Sequence, residues 1–375
     1  MSLKQIVLAA GDLAPDRPDP DSLFDGVRPL LNSAALVFGQ LETTFAATGQ
    51  RLPQARHAVL AIPEGAQALA RAGFDVISCA GNHCLDWGSA ALLESIGHLR
   101  GAGLDVVGAG ANIAQARAPV QRTLEDGTRV AFLAYSSILP MSYWAEANRA
   151  GCAPMRAHTL YEQIEHDQPG TPARIHTYAH AEDLAALRAD IRGAKQNADV
   201  VFVSLHWGIH FVRATIADYQ REVARAAIEA GADAILGHHA HILKGAEVIA
   251  GRPVLYSLCN FATDLRMDPE HAQRKSFKEI QKLAPDWVPD FDSLYNFPPD
   301  SRMSALARFE VARGRIVEAS LIPLWIDRDA LPRPLTPADE RFGKVVAYLR
   351  EVTREAELNA TFEVADDRVV LGAAR

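Results

Sequence analysis

Cysteine is scarce in this 375-residue chain. Its four cysteines, Cys79, Cys84, Cys152 and Cys259, form no CxxC pair and show no disulfide-framework spacing. Each is expected to serve as a small buried hydrophobe, and the expected setting is a reducing cytoplasm. A basic excess is also missing: 38 Lys and Arg stand against 46 Asp and Glu, for a net charge of −8. That balance excludes the basic stripe of a dedicated nucleic-acid binder, and no block of like charge reads as an interaction tail. Long apolar runs are absent as well. The opening stretch MSLKQIVLAAGDL is too short for a signal core and soon meets a carboxylate, so neither a leader nor a membrane anchor is expected. There is no internal repeat and no low-complexity tract.

What is present is a globular composition with room for a large core. Short apolar runs, QIVLAA, ALVFGQ, FDVISCA, RVAFLAY, DVVFVSLH, DAILG and PVLYSL, read as strands. Between them, EGAQALARAG, SAALLESIGHLRGAG, AEDLAALRADIRGAKQ and ADYQREVARAAIEAGAD carry apolar residues at helical spacing and end near Gly or Asn. This alternation predicts an α/β fold with central strands covered on both faces. One body is expected over residues 1–330, with irregular excursions near 136–180 and 263–300. SALARFEVA and RIVEASLIPLWI read as an antiparallel pair, and residues 331–375 as a helix and tail packing on the body.

The informative pattern lies in the polar residues at the end of each apolar run. The first run leads into Gly11-Asp12 and the second into Leu41-Glu42. The others lead into Asn82-His83, His206, His238-His239-Ala240-His241 and Cys259-Asn260. Ligands of open α/β sheets gather outside the carboxyl ends of the strands. Three of the thirteen histidines fall within four positions there. Oxygen and nitrogen donors without a thiolate among the assigned positions suit divalent Mn, Fe or Zn.

These residues resemble a known family. GNHCLDWG, LHWG, GADAILGHHAHILKGAE and YSLCNF, in that order, are similar to the capsule-synthesis CapA family of poly-γ-glutamate biosynthesis proteins. That family belongs to the calcineurin-like metallophosphoesterase superfamily. The likeness runs from about residue 6 to 262, with GAGANIAQARAPV and GCAPMR between the motifs and the strand pair near 304–323 as a closing segment. It implies a calcineurin-like four-layer α/β/β/α sandwich with mixed sheets, holding two divalent metal ions. Carried over residue by residue, Asp12 and His241 would serve one metal, and Asn82, His206 and His239 the other, with Glu42 bridging. His83 matches the histidine that protonates the leaving oxygen. His238 falls at a glycine-like position, as a donor behind the ligands or a substrate contact. Asp86 or His210 would orient the histidines, His210 also standing as a substrate contact, while Asp86 equally suits the N-cap of the next helix.

The chain departs from the family pattern at four places. Ala14 replaces the histidine of Asp-x-His, Glu42 replaces a bridging Asp, His210 stands where Glu is frequent, and Cys259 where Gly is usual. The function implied is hydrolysis of a phosphoester or related bond by a metal-bound hydroxide. Two alternatives stay open: the same site acting on a peptide or γ-glutamyl substrate by amide hydrolysis or epimerisation, and a non-catalytic accessory protein of polymer biosynthesis. The expected partner is a small-molecule or peptide or polymer substrate. Nucleic acid is not expected, and the oligomeric state is open.

Overall fold

Strand alternation distributes side chains between two hydrophobic layers. The computed structural model describes residues 4–168 and 170–374. The chain ends used as bounds above, and Pro169 within the first excursion, lie outside the described residues. The strands that carry the architecture are β1 (Gln5–Ala14), β2 (Leu36–Leu41), β3 (Val76–Ser78), β4 (Arg129–Ser136), β5 (Val200–His206), β6 (Ala234–His238), β7 (Asn260–Thr263), β8 (Met303–Ala312) and β9 (Arg315–Ile326). In β5, Val200 and Phe202 join one apolar cluster while Val201, Val203 and Leu205 join another. β4 and β6 divide the same way, so these strands are buried on both faces.

Two mixed sheets result. The larger runs in the order Ala360–Ala365, Arg368–Ala373, β9, β8, β1, β2, β3, Asp105–Val107, with β7 also pairing β1. The smaller runs Ala246–Ile249, Arg252–Leu255, β6, β5, β4, Val120–Thr123. β1, β2 and β3 are parallel, as are β4, β5 and β6, whereas β8 and β9 are antiparallel to each other.

The sheets meet through a file of aromatic rings. Phe38 of β2 stacks on Phe132 of β4 at 5.3 Å, Phe132 on Phe202 of β5 at 5.1 Å, and Phe202 meets Phe309 of β8 edge-on at 5.0 Å. Helices cover the outer faces. Leu187 and Ile191 of α3 (Ala181–Asn197) and Val223 and Ala227 of α4 (Asp218–Ala230) close the smaller sheet. Over the larger sheet lie α1 (Glu64–Ala72), α2 (Gly88–Gly101) and α5 (Glu340–Glu355). The layers run α/β/β/α.

Three local features differ from a simple reading of the sequence. β1 does not stop before Asp12 but continues to Ala14, and its register slips at Asp12 against both β2 and β7. Such a bulge re-aims a side chain. Its first half pairs with β8 and its second with β7, and Gly11 sits at the crossover, where a Cβ would stand 2.1 Å from the Cys259 carbonyl oxygen. The C-terminal tail forms a hairpin, Ala360–Ala365 with Arg368–Ala373, that extends the larger sheet. The second excursion folds into two short helices, Pro269–Gln273 and Lys275–Gln281. Phe277 of the second packs with Trp287 and Met267 on Phe211, Ala240 and Ile242. Among the described residues, no helix is long and apolar enough to cross a membrane.

Removing the central ring of the file leaves a cavity between the sheets. Phe202→Ala is expected to cost about 3–5 kcal/mol, read as a fall in the urea midpoint. Leu160→Ala, on an exposed hairpin, should change stability by less than about 0.5 kcal/mol.

Candidate metal centre

The ends of β5 and β6 lie in register, pairing His206 with His238. Across the interface, the larger sheet places Gln40, Asp12 and Asn260 side by side on β2, β1 and β7. Both edges open at one place. The chain past β6 makes its turn with His239 at φ 85° and His241 at φ 54°. Left-handed backbone is uncommon for such side chains and clusters at functional sites. The same holds for the residue before β7: Cys259 has φ 64°, a conformation in which glycine is at ease.

His206, His239 and Asn82 converge. His206 Nε2 is 2.7 Å from Asn82 Oδ1, His239 Nδ1 is 3.2 Å from the same oxygen, and the two ring nitrogens are 3.2 Å apart. Ligand bonds of about 2.0–2.2 Å to Zn or a similar ion space their donors by about 3 Å. The triangle fits an ion of that class.

Asp12 anchors the other side. It is fully buried; His238 Nδ1 stands 3.1 Å from Oδ1, and at Oδ2 it accepts the His239 backbone N–H at 3.2 Å, with His241 Nδ1 at 3.4 Å. Glu42 closes the gap between the two groups, for one donor atom each from Asp12, Glu42 and His206 lies within 4.8 Å of the others. Glu42 Oε1 is 3.2 Å from His206 Nδ1, without the alignment of a hydrogen bond.

The electrostatics carry the same message. Burial, and then the nearby Asp12, raise the Glu42 carboxyl well above its ordinary range. Burial holds His206, His210 and His239 well below the ordinary imidazole value, and lowers His241 against the opposing pull of Asp12. A divalent cation requires neutral imidazoles and ionised carboxylates, and its charge would favour the ionised form of the crowded Glu42 carboxyl. Glu42 Oε2, His206 Nδ1, His210 Nε2 and His238 Nε2 are buried without a partner. Unsatisfied groups of this kind cost about 1–3 kcal/mol each, and a bound cation relieves those that face it. The residues fit the metal.

The remaining candidates surround this cluster. His83 Nδ1 donates to Asp86 Oδ2 at 2.6 Å, and Tyr143 OH donates to Asp86 Oδ1 at 2.8 Å. Asp86 makes no helix cap, because α2 begins at Gly88 behind Trp87 with no side-chain cap. His83 and His210 line the open cavity beside the cluster. His210 stacks over His239 at 3.9 Å and His241 at 5.2 Å. His238 has no exposed surface and stands behind Asp12. Sealed in this way, it is out of reach of a molecule in the cavity. Ala14 lines the cavity and offers no side-chain donor.

Asn260 was legible only as one of the strand-end residues. Its Oδ1 is 2.7 Å from His241 Nδ1, and its amide donates to Tyr295 OH, which in turn donates to the Ser301 carbonyl at 2.7 Å. Tyr143 and Tyr295 carry no spacing that sets them apart in the sequence, for both come from irregular segments.

A family model described as bacterial capsule synthesis protein PGA_cap matches residues 6–265. The PGA biosynthesis protein CapA of Bacillus subtilis (strain 168) is 28% identical over 246 residues, covering 65% of this chain and 57% of that protein. The capsule biosynthesis protein CapA of Bacillus anthracis is 26% identical over 357 residues, covering 94% and 72%. A probable polyglutamine synthesis accessory protein of Mycobacterium tuberculosis (strain ATCC 25618 / H37Rv) is 28% identical over 299 residues, covering 78% and 66%. The chain thus spans little more than half the length of the first of these. Among solved structures, the calcineurin-like phosphoesterase YfkN from Bacillus subtilis aligns with a TM-score of 0.39 and 12% identity, over 95% of this chain and 98% of that one.

Titration calorimetry with Mn or Zn checks the ligand set. His206→Ala and His239→Ala should each remove most binding at the Asn82 side. His238→Ala should leave that side intact and weaken the Asp12 side by about 10–100-fold, the usual effect of losing a group that holds a ligand. Equal loss in all three variants would show that the His238–His241 register is misassigned.

Proposed function

The chain belongs to the bacterial capsule synthesis protein PGA_cap family, and on that footing we propose that it is a metal-dependent hydrolase of a phosphoester or related bond. The observation that supports this reading is the position of His83. Its imidazole is tied to a buried carboxylate and lines the cavity next to the donor cluster. A purely structural metal site has no use for an anchored histidine at its open side.

In this reading Asp12 and His241 hold one divalent ion, Asn82, His206 and His239 hold a second, and Glu42 stands between them. Mn, Fe and Zn all suit the donors. When bound, the ions would acidify a water and neutralise charge on the substrate's oxygens. The chain's own residues do the rest. Asp86 accepts the Nδ1 proton of His83, which fixes the tautomer and leaves Nε2 for the substrate. Protonated there, His83 gives its proton to the departing oxygen. Tyr143 holds the second oxygen of Asp86, so the carboxylate cannot swing away. His238 keeps Asp12 aimed at the ions, and His210 packs over the rings of His239 and His241.

The absence of a donor at Ala14 leaves the Asp12 ion with fewer protein ligands, so that ion is expected to bind the more weakly. A cytoplasmic setting goes with this reading. The relatives' names speak of capsule and polymer biosynthesis, and one of an accessory role. These names favour a second reading, in which the site serves polymer biosynthesis on a peptide or γ-glutamyl substrate or without catalysis.

Hydrolysis of an activated aryl phosphoester by protein loaded with Mn or Zn separates the two. Activity should rise steeply with added metal. His83→Ala should keep its metal content and lose about 10²–10⁴-fold in rate, while Asn82→Ala should lose metal and rate together. No cleavage by the fully loaded wild type would refute the phosphoester reading and put the peptide-directed one first.

A further inference from the structure

The cavity above the donor cluster has a composition of its own. Its far wall is built by Phe211, Met267, Phe277, Trp287 and Phe297, four of them from the second excursion. No lysine or arginine lines it among the described residues. The acidic wall residue Asp264 is already bound by Arg17, and the space measures about 130 Å³. A dry apolar cavity of about 150 Å³ holds a benzene molecule. The space beside the aromatic wall therefore has the capacity of about one six-membered ring.

The indole ring of Trp287 lies 5.3 Å from Phe211 and meets Phe277 edge-on at 4.9 Å, so the wall is a continuous aromatic surface. Beyond His83 and His210 the cavity joins a larger cleft, about 640 Å³, whose lining includes Gln54, Arg56, Ser276 and Glu279.

We infer that the substrate carries one flat ring. The ring occupies the Phe211–Trp287–Phe297 cavity, and the polar remainder reaches past Arg56. This rests on the hydrolase reading of the adjacent centre and names the substrate class for it. A polyglutamate chain, with a carboxylate on every residue, would set its charges against an apolar wall and the carboxylates of Glu42 and Asp264.

Calorimetry on the Mn-loaded protein with phenylphosphonate, methylphosphonate and tri-γ-glutamate tests the inference. Phenylphosphonate should bind about 10–100-fold more tightly than methylphosphonate, the gain from burying one ring, and Trp287→Ala should erase the difference. Trp287→Phe, which preserves the packing, should keep part of it. Equal affinity for the two phosphonates, or tighter binding of tri-γ-glutamate, would overturn the inference while leaving the metal reading intact. Absence of bound metal would sink the hydrolase reading instead. Metal-free protein with benzamide, which has a ring but no charge, then decides the cavity alone. Saturation transfer to the benzamide ring protons should be strong in the wild type, weaker in Trp287→Phe and lost in Trp287→Ala. Equal transfer in all three overturns the inference.

Discussion

A carboxylate with no exposed surface governs the arrangement around it. Asp12 lies in the middle of the larger sheet, where an ionised group taken out of water costs several kcal/mol unless charge or hydrogen bonds offset it. Among the described residues its ion-pair partners are His238 and His241, and neither a lysine nor an arginine is one of them. Neighbouring Glu42 adds a second buried carboxyl. The surrounding features are answers to that burden. The register slip beside Asp12 re-aims its side chain, the His239 backbone N–H meets one oxygen, and His238 stands against the other. In the proposed reading a divalent ion would supply the remaining positive charge, and the imidazoles that burial keeps neutral are suited to bind it.

Left-handed backbone recurs among the residues around this carboxylate. His239, His241 and Cys259 all take left-handed backbone within two turns that face each other, and the thiol of Cys259 lies 3.2 Å from the His241 carbonyl. Conformations of this kind persist only where the surroundings over-determine them. Here the surroundings are two sheets locked by stacked phenylalanines, so rigid packing below the site holds an unfavourable backbone above it. The Asn260–Tyr295–Ser301 chain of hydrogen bonds extends that support into the second excursion.

Much of this was legible because the polar residues interrupt strong apolar runs. His206 and the His238–His241 turn could be read from their positions at the ends of DVVFVSLH and DAILG, since a continuous apolar run closed by polar residues marks where a strand buried on both faces stops. Asp12 was harder. The apolar pattern ends before it, yet the strand continues because a change of partner from β8 to β7 keeps its backbone paired. Asp86 carries the local signal of a helix cap, but hydrogen bonds from His83 and Tyr143 outweigh that preference. The resemblance sets His238, at a glycine-like position, apart from His241, and the turn geometry seals the first behind Asp12 while the second faces the cavity.

The wall contributed by residues 263–300 was the least legible part, and it changes what the centre can do. Phe277 and Trp287 come from a charged, Pro-rich stretch whose periodicity is too weak to reveal an apolar face. Placed opposite the donors, they exclude water from one side of the space between, and Coulombic terms strengthen where water is excluded. In the hydrolase reading the wall would sharpen the donors' action on a substrate's charge. Selectivity and electrostatic strength would then have a common origin in the segment that carries the fewest sequence signals.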